Sequence, residues 1–306
     1  MRLLIHAPRA DEWRDALAAA LAQARPEAEI LTTREAGEVP ADYLIVWHPP
    51  ASLLACQNSR LRAIFNAGAG IDALLANPSL PAQVPILRLR DAGMGEMMGD
   101  YLLYATLHFH RNLDRYRLDQ AAQRWAEQPL EEKEAWPVGI LGLGTLGRVA
   151  GDCLRARGYP VKGWSRTPKT FEGIESFHGE AGLAAMLEGS RVLFNLLPET
   201  PATRGLLNEA RLRCLPRGAV VVNAGRGATL VPEALLRLLD EGHLRGALLD
   251  VFPEEPLPAG HPLWTHPGVI VTPHVAAPTL VGPGAEQVAR DLLALERGEH
   301  VPVCPR

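Results

Sequence analysis

The stretch Val138-Gly139-Ile140-Leu141-Gly142-Leu143-Gly144-Thr145-Leu146-Gly147 reads as a short buried strand, Val138–Leu141, that runs straight into a glycine turn, with a helix continuing over 148–157. Gly142, Gly144 and Gly147 stand at G-x-G-x-x-G spacing. The first glycine permits a tight turn, the second lets the backbone approach a pyrophosphate, and the third lets helix and strand pack closely. Free N–H groups at the helix start, those of Thr145 and Leu146 among them, then face the anion. An ordinary turn with small packing residues also matches such spacing. The strand before it and the helix after it are the context that dinucleotide binding requires.

Downstream of the turn the same alternation continues: strand 161–164, helix 180–187, strand 192–197, helix 209–215, strand 219–223, helix 232–240, strand 247–251 and strand 269–272. This is the pattern of a doubly wound parallel sheet, whose ligands sit off the carboxyl ends of its strands. Upstream, strand-like runs at 2–6, 43–47, 63–66 and 84–87, with a helix over 11–24, describe a second α/β unit. Its loop Asn66-Ala67-Gly68-Ala69-Gly70-Ile71-Asp72 offers exposed backbone N–H groups to a small anion, or is a glycine turn with nothing bound. A single long helix is expected over 101–117, with His108 and His110 as packing or surface residues on different faces. An exposed arm follows at 124–136, and a last helix over 284–297 returns to the first unit. The domains expected are therefore 1–98 with 277–306, and 99–276.

The length of 306 residues suits two domains. A net charge of −4 implies no broad affinity for nucleic acid or an anionic membrane. No 18-residue apolar run is present, and the apolar start is too short for a signal sequence. Cys56, Cys153, Cys214 and Cys304 show no ligand spacing, which favours reduced thiols in a cytoplasmic protein and no metal site.

The residue about 20 positions beyond the glycines is acidic when a free ribose 2′-hydroxyl is recognised. Here the strand ends at Trp164 and is followed by Ser165-Arg166-Thr167-Pro168-Lys169, with no carboxylate. Ser165 and Thr167 can hydrogen-bond a 2′-phosphate, and Arg166 and Lys169 can pair with it, so NADP(H) is expected over NAD(H).

Three further strand ends carry polar clusters: Asn223-Ala224-Gly225-Arg226-Gly227, Asp250-Val251-Phe252-Pro253-Glu254-Glu255-Pro256-Leu257-Pro258, and Thr272-Pro273-His274-Val275-Ala276. Reduction of a 2-oxo acid needs a cation to hold the carboxylate and polarise the ketone, and an acid to protonate its oxygen. Arg226 suits the first task, and His274, with Glu255 as neighbouring carboxylate favouring its imidazolium, suits the second. Taken singly, Arg226 reads equally as a surface ion pair, Glu255 as a solvated loop charge and His274 as a turn residue after proline. Glu254 is expected to be the solvated neighbour.

The blocks G-L-G-T-L-G, N-A-G-R-G, D-V-F-P-E-E-P-L-P and T-P-H-V-A, in this order, resemble the D-isomer-specific 2-hydroxyacid dehydrogenase family. V-W-H-P-P (46–50), G-A-G-I-D (68–72), G-M-G-E (93–96), W-S-R-T (164–167) and N-L-L-P (195–198) resemble more narrowly its glyoxylate/hydroxypyruvate reductase branch. The resemblance implies a Rossmann domain beside a flavodoxin-like α/β substrate domain, and reduction of glyoxylate to glycolate and of hydroxypyruvate to D-glycerate with NADPH. It implies Arg226, Glu255 and His274 as the catalytic group, with Arg226 and His274 also touching substrate. Cofactor contacts at Pro198, Ala224 and Asp250 follow from it, as do Trp47 and the backbone of Ala69 and Gly70 on the substrate. It implies a homodimer through the nucleotide domains, with 101–136 as its arm. The segment 281–284, read as a loop, departs from the family pattern in being rich in glycine and proline, and such loops can line the pocket. Formate or phosphite dehydrogenases share the architecture, but the formate type pairs its histidine with glutamine where Glu255 stands. A dinucleotide-sensing corepressor could keep all three residues.

Overall fold

The structure, a computed structural model, describes residues 1–304. Its contacts divide the chain into two compact units: Met1–Gly93 together with the segment from Thr279 onward, and Met94–Pro278.

The first unit is built on five parallel strands, β1 (Arg2–His6), β2 (Glu29–Thr32), β3 (Tyr43–Val46), β4 (Ala63–Asn66) and β5 (Ile86–Arg88). Their spatial order is β2-β1-β3-β4-β5, the flavodoxin-like order, with the switch point between β1 and β3. Central strands β3 and β4 are buried along their whole length, as strands covered on both faces must be. Helix Ala10–Leu21 buries Trp13, Leu17 and Leu21, spaced four residues apart on one face, and packs against helix Val281–Glu296. The final helix thus completes the first unit.

The second unit carries seven parallel strands: β6 (Val138–Leu141), β7 (Val161–Ser165), β8 (Glu175–His178), β9 (Val192–Asn195), β10 (Ala219–Asn223), β11 (Leu244–Leu249) and β12 (Val269–Val271). Their order, β12-β11-β10-β9-β6-β7-β8, places the crossover reversal between β6 and β9. This is the doubly wound Rossmann arrangement expected, extended by one strand. Val138–Leu141 and Ala219–Asn223 are buried at every position.

Three local expectations are corrected, and two strands are added. The helix expected over 101–117 is two helices, Met94–His110 and Leu113–Ala121, separated at Asn112, whose backbone is left-handed at φ 57°. Asn tolerates that conformation, and its side-chain amide donates to the carbonyl of Pro129 at 2.9 Å. The first helix begins at Met94 and packs along helix Thr145–Ala156, so the unit boundary falls before it, ahead of residue 98. Strands β2 and β8 lie at sheet edges and carry too little apolar alternation to stand out in the sequence. Residues 281–284 are not a loop but the first turn of helix Val281–Glu296, where Pro283 costs little because a first-turn N–H has no helical acceptor. Gly284 is required there because a side-chain carbon would come within 2.7 Å of the Trp13 ring.

His108 and His110 are both buried. His110 is fully engaged, Nδ1 with the hydroxyl of Tyr159 at 2.8 Å and Nε2 with the carbonyl of Glu131 at 2.7 Å.

Candidate active site

The three glycines after β6 occupy three different physical situations. Gly142 turns the chain with φ 106°, a conformation open to glycine and strained for L-residues. Gly144 is the N-cap of helix Thr145–Ala156, and a side chain there would meet nothing within 4 Å. At Gly147, by contrast, a Cβ would sit 2.0 Å from the carbonyl oxygen of Gly142. The turn therefore leaves an open approach to a helix N-terminus that no side chain caps, with Thr145 exposed and Leu146 half-buried. Such an uncapped, open helix start fits the pyrophosphate of a dinucleotide.

Beyond β7, Arg166, Thr167 and Lys169 are exposed, while Ser165 is buried at the strand end. The Ser165 hydroxyl donates to the carbonyl of Thr167 at 2.8 Å, which curls this turn back on itself. Lys169 reaches further: its Nζ donates to the carbonyl of Leu143 at 2.8 Å, within the glycine turn. One cation thus ties the two turns together while Arg166 stays at the surface. A donor set of guanidinium, ammonium and the Thr167 hydroxyl, without a carboxylate, fits a 2′-phosphate rather than a bare ribose; the Ser165 hydroxyl, expected among the donors, is instead spent inside the turn.

The other polar loops follow neighbouring strands. Asn223 at the end of β10 is in register with Leu249 of β11, and Leu249 with Val271 of β12, so the loops carrying Arg226, Glu255 and His274 leave one edge of the sheet side by side. They also touch. A Cβ on Gly227 would overlap the backbone of Phe252, so the chain after Arg226 lies directly on the loop bearing Glu255. Arg226 is half-buried, with its guanidinium donating to the carbonyl of Gly225 at 2.7 Å. Nδ1 of His274 lies 2.9 Å from Oε2 of Glu255, and Oε1 of Glu255 accepts the N–H of Phe252 at 2.9 Å. Because a carboxylate only accepts, Nδ1 carries the proton of that bond, and Nε2 takes no part in it. Glu254 is exposed.

Asp250 is buried, and both its carboxylate oxygens are taken up by the next loop. Oδ1 accepts from the Thr272 hydroxyl at 2.6 Å and from the N–H of Val275 at 2.8 Å, and Oδ2 accepts from the N–H of Ala276 at 2.9 Å. Its carbonyl accepts the N–H of His274 at 2.8 Å. Pro198 is exposed after β9, and Ala224 is half-buried after β10 with its N–H on the carbonyl of Asn195.

Two polar residues that the sequence reading left without a role set the backbone of this region. Asn195, fully buried, donates to Asn223 Oδ1 at 2.8 Å and to Thr229 Oγ1 at 2.5 Å, and the Thr229 hydroxyl donates to the carbonyl of Arg226 at 2.6 Å. Their signal was available: an asparagine ending the apolar run Val192–Asn195 cannot be buried without partners.

In the first unit, the indole of Trp47 covers Gly68 so closely that a Cβ there would come within 2.2 Å of the ring. Trp47 also lines a crevice of about 710 Å³ at the carboxyl ends of β1, β2 and β3, shared with His6, Thr33 and His48. The carbonyls of the adjoining loop are tied down: Asn66 Nδ2 donates to those of Gly68 and Gly70, and Arg88 to that of Ala69. The N–H groups of Ala69 and Gly70 meet no backbone acceptor among the described residues.

Comparison with known proteins agrees with this geometry. Residues 103–276 match the sequence model of the family described as D-isomer specific 2-hydroxyacid dehydrogenase, NAD binding domain. A glyoxylate/hydroxypyruvate reductase A of Serratia proteamaculans is 43% identical over 306 residues, covering 98% of this chain and 96% of the relative. A D-isomer specific 2-hydroxyacid dehydrogenase of Xanthobacter autotrophicus, solved in complex with NADPH and MES, superposes with a TM-score of 0.93 at 37% identity, over 99% of this chain and 98% of the other. An NADPH-dependent glyoxylate/hydroxypyruvate reductase of Sinorhizobium meliloti, solved with NADP and sulfate, gives a TM-score of 0.90 at 34% identity over the same shares. The chain belongs to the D-isomer-specific 2-hydroxyacid dehydrogenase family of oxidoreductases.

Proposed function

We propose that this protein reduces small 2-oxo acids, glyoxylate to glycolate and hydroxypyruvate to D-glycerate, with NADPH as reductant. The observation that carries the reading is the His274–Glu255 pair at 2.9 Å, set beside the Arg226 loop on a dinucleotide-binding sheet. The relatives named for glyoxylate and hydroxypyruvate, and the neighbour solved with NADP, support the substrate and cofactor.

When bound, the dinucleotide supplies a hydride. The chain's own residues do the rest. Gly142, Gly144, Thr145, Leu146 and Gly147 form the pyrophosphate turn, Arg166, Thr167 and Lys169 take the 2′-phosphate on the turn that Ser165 shapes, and Pro198, Ala224 and Asp250 complete the cofactor contacts. The backbone N–H groups of Ala69 and Gly70 receive the substrate carboxylate, and Trp47 flanks the small substituent. Arg226 draws electron density toward the ketone oxygen, and Nε2 of His274 protonates that oxygen as it gains charge. Glu255 holds Nδ1–H, which orients the ring and leaves Nε2 for the substrate oxygen.

The same reading makes the protein a cytoplasmic homodimer. Among the described residues no helix is long and apolar enough to cross a membrane, and all four cysteines are free. Tyr104, Leu113, Leu118, Trp125 and Leu130 expose large apolar surface within a short span of the second unit, with Trp125 99% exposed. Such a concentration is what a subunit interface covers.

The test is an absorbance assay of reduced dinucleotide with glyoxylate, hydroxypyruvate, pyruvate and phenylpyruvate. Turnover of the first two, faster with NADPH than with NADH, is expected. Absence of turnover with all four overturns the reading.

A further inference from the structure

We propose that Tyr101 is a positioning residue for His274, acting through Thr272 and Asp250. The inference rests on His274 being the proton donor of the reaction proposed above.

The hydroxyl of Tyr101 lies 2.6 Å from Oγ1 of Thr272, and Oγ1 of Thr272 lies 2.6 Å from Oδ1 of Asp250. The carboxylate only accepts, so the threonine hydroxyl donates to it and the phenol donates to the threonine. Burial, the largest influence on this phenol, pushes its titration up, so Tyr101 stays a donor across the working range. The result is a directed chain of two short hydrogen bonds, from the helix Met94–His110 to the buried carboxylate after β11.

What that carboxylate does explains why the chain matters. Asp250 holds three consecutive amides of the histidine loop: its carbonyl takes the N–H of His274, Oδ1 that of Val275, and Oδ2 that of Ala276. His274 needs this clamp because its backbone is left-handed, at φ 54°. A side chain in that conformation is strained, and it persists only where the surroundings over-determine it. Oδ1 is the shared oxygen, accepting from Thr272 and Val275 together. Hydrogen bonds in such a series polarise one another, so the phenol strengthens the bond that fixes Oδ1. Without it, the Thr272 hydroxyl is held less firmly on Oδ1, and although the Val275 and Ala276 N–H groups still bind the carboxylate, the loop presents the imidazole less well at the angle that suits both Glu255 and the substrate oxygen. Positioning errors of this kind act on turnover rather than on ligand affinity.

The experiment compares Tyr101→Phe, Thr272→Val and Thr272→Ser in the full-length protein, with glyoxylate and NADPH, in the wild-type and His274→Ala backgrounds. NADPH affinity is followed by fluorescence titration. Tyr101→Phe and Thr272→Val are expected to lower kcat about tenfold, the effect of one lost hydrogen bond of this class. The dissociation constant of NADPH should change less than about twofold, and Thr272→Ser, which keeps the hydroxyl, should recover most of the rate. In the His274→Ala background the same changes should have no further effect, because residues acting through one group are non-additive. A wild-type kcat in Tyr101→Phe overturns the inference, as does an equal loss in both backgrounds or a serine that fails to rescue. Should Tyr101→Phe fold poorly, the Thr272 pair decides by the same criteria. Full activity of His274→Ala alone would overturn the reading of His274 itself.

Discussion

Glu255 is bound at both ends: one carboxylate oxygen accepts the N–H of Phe252 at 2.9 Å, and the other lies 2.9 Å from Nδ1 of His274. The carboxylate is therefore anchored to its own loop while it orients the ring presented from the next. For His274→Ala, reduction of glyoxylate is expected to fall by about 10²–10⁴-fold, the usual contribution of a general acid. Glu255→Gln keeps an acceptor for Nδ1–H but loses the charge, so its loss should be smaller. Steady-state kcat for the two variants checks both, and a His274→Ala variant within a few-fold of wild type removes the histidine from the reaction.

Lys169 and Arg166 separate two contributions that composition alone would merge. Arg166 is exposed, whereas Lys169 donates to the carbonyl of Leu143 and so also braces the glycine turn. Arg166→Ala should weaken NADPH and leave NADH nearly unchanged, while Lys169→Ala should weaken both, NADPH more. Calorimetric titration with each dinucleotide gives the comparison. Equal losses for the two cofactors in Arg166→Ala would mean that this turn does not read the phosphate.

The glycines at 144 and 147 should fail in different ways. Gly147→Ala forces a methyl to 2.0 Å from the Gly142 carbonyl, a backbone contact that cannot yield cheaply, so a fall in thermal midpoint is expected along with lost dinucleotide binding. Gly144→Ala meets open space, so the fold should keep its melting temperature while the dinucleotide is excluded. Thermal unfolding paired with dinucleotide titration separates these outcomes, and a destabilised Gly144→Ala would contradict them.

Burial, the dominant influence, lowers the pKa of His108, which packs against the rings of Tyr104 and Phe109 at 5.7 and 4.9 Å. The sign follows from the unfolded chain taking up the proton first. The stability this ring contributes is complete above the unfolded value of about 6.5 and is lost as pH falls from there through the lower folded value. His108→Phe should therefore flatten the acid limb of the stability curve as pH falls below about 6.5, read as thermal midpoint against pH. An unchanged acid limb would show that His108 does not titrate with unfolding.

Trp125 is 99% exposed, and Leu118 and Leu130, within seven residues of it in the chain, are exposed too. Sedimentation is expected to give a dimer for the wild type and a markedly weaker one for Trp125→Ala. A wild-type monomer would leave this apolar surface without its proposed function.

Much of the architecture was legible because it is local. A strand, a turn of three glycines and a helix follow one another within the span Val138–Ala156, and each glycine's role is dictated by its immediate neighbours in the chain. The buried strands showed as uninterrupted apolar runs, and the strand ends as abrupt polar clusters. The pairing of His274 with Glu255 was suggested by their placement after neighbouring strands, 19 residues apart.

Other features depended on contacts that no window of sequence contains. The break at Asn112 depends on the carbonyl of Pro129, and the reach of Lys169 depends on where the glycine turn lies. Asp250 was expected only as a cofactor contact, whereas the fold gives its carboxylate three donors from the segment after β12, one of them backed by Tyr101 from a distant helix. The sequence by itself determined which segments are buried and which residues carry charge, because burial and ionisation are properties of residue types in short patterns. Only the tertiary structure decided which charges are engaged internally and which are presented to a ligand. A hydrogen bond needs two groups within about 3 Å, and partners some 170 positions apart, as Tyr101 and Thr272 are, meet only when the chain has folded.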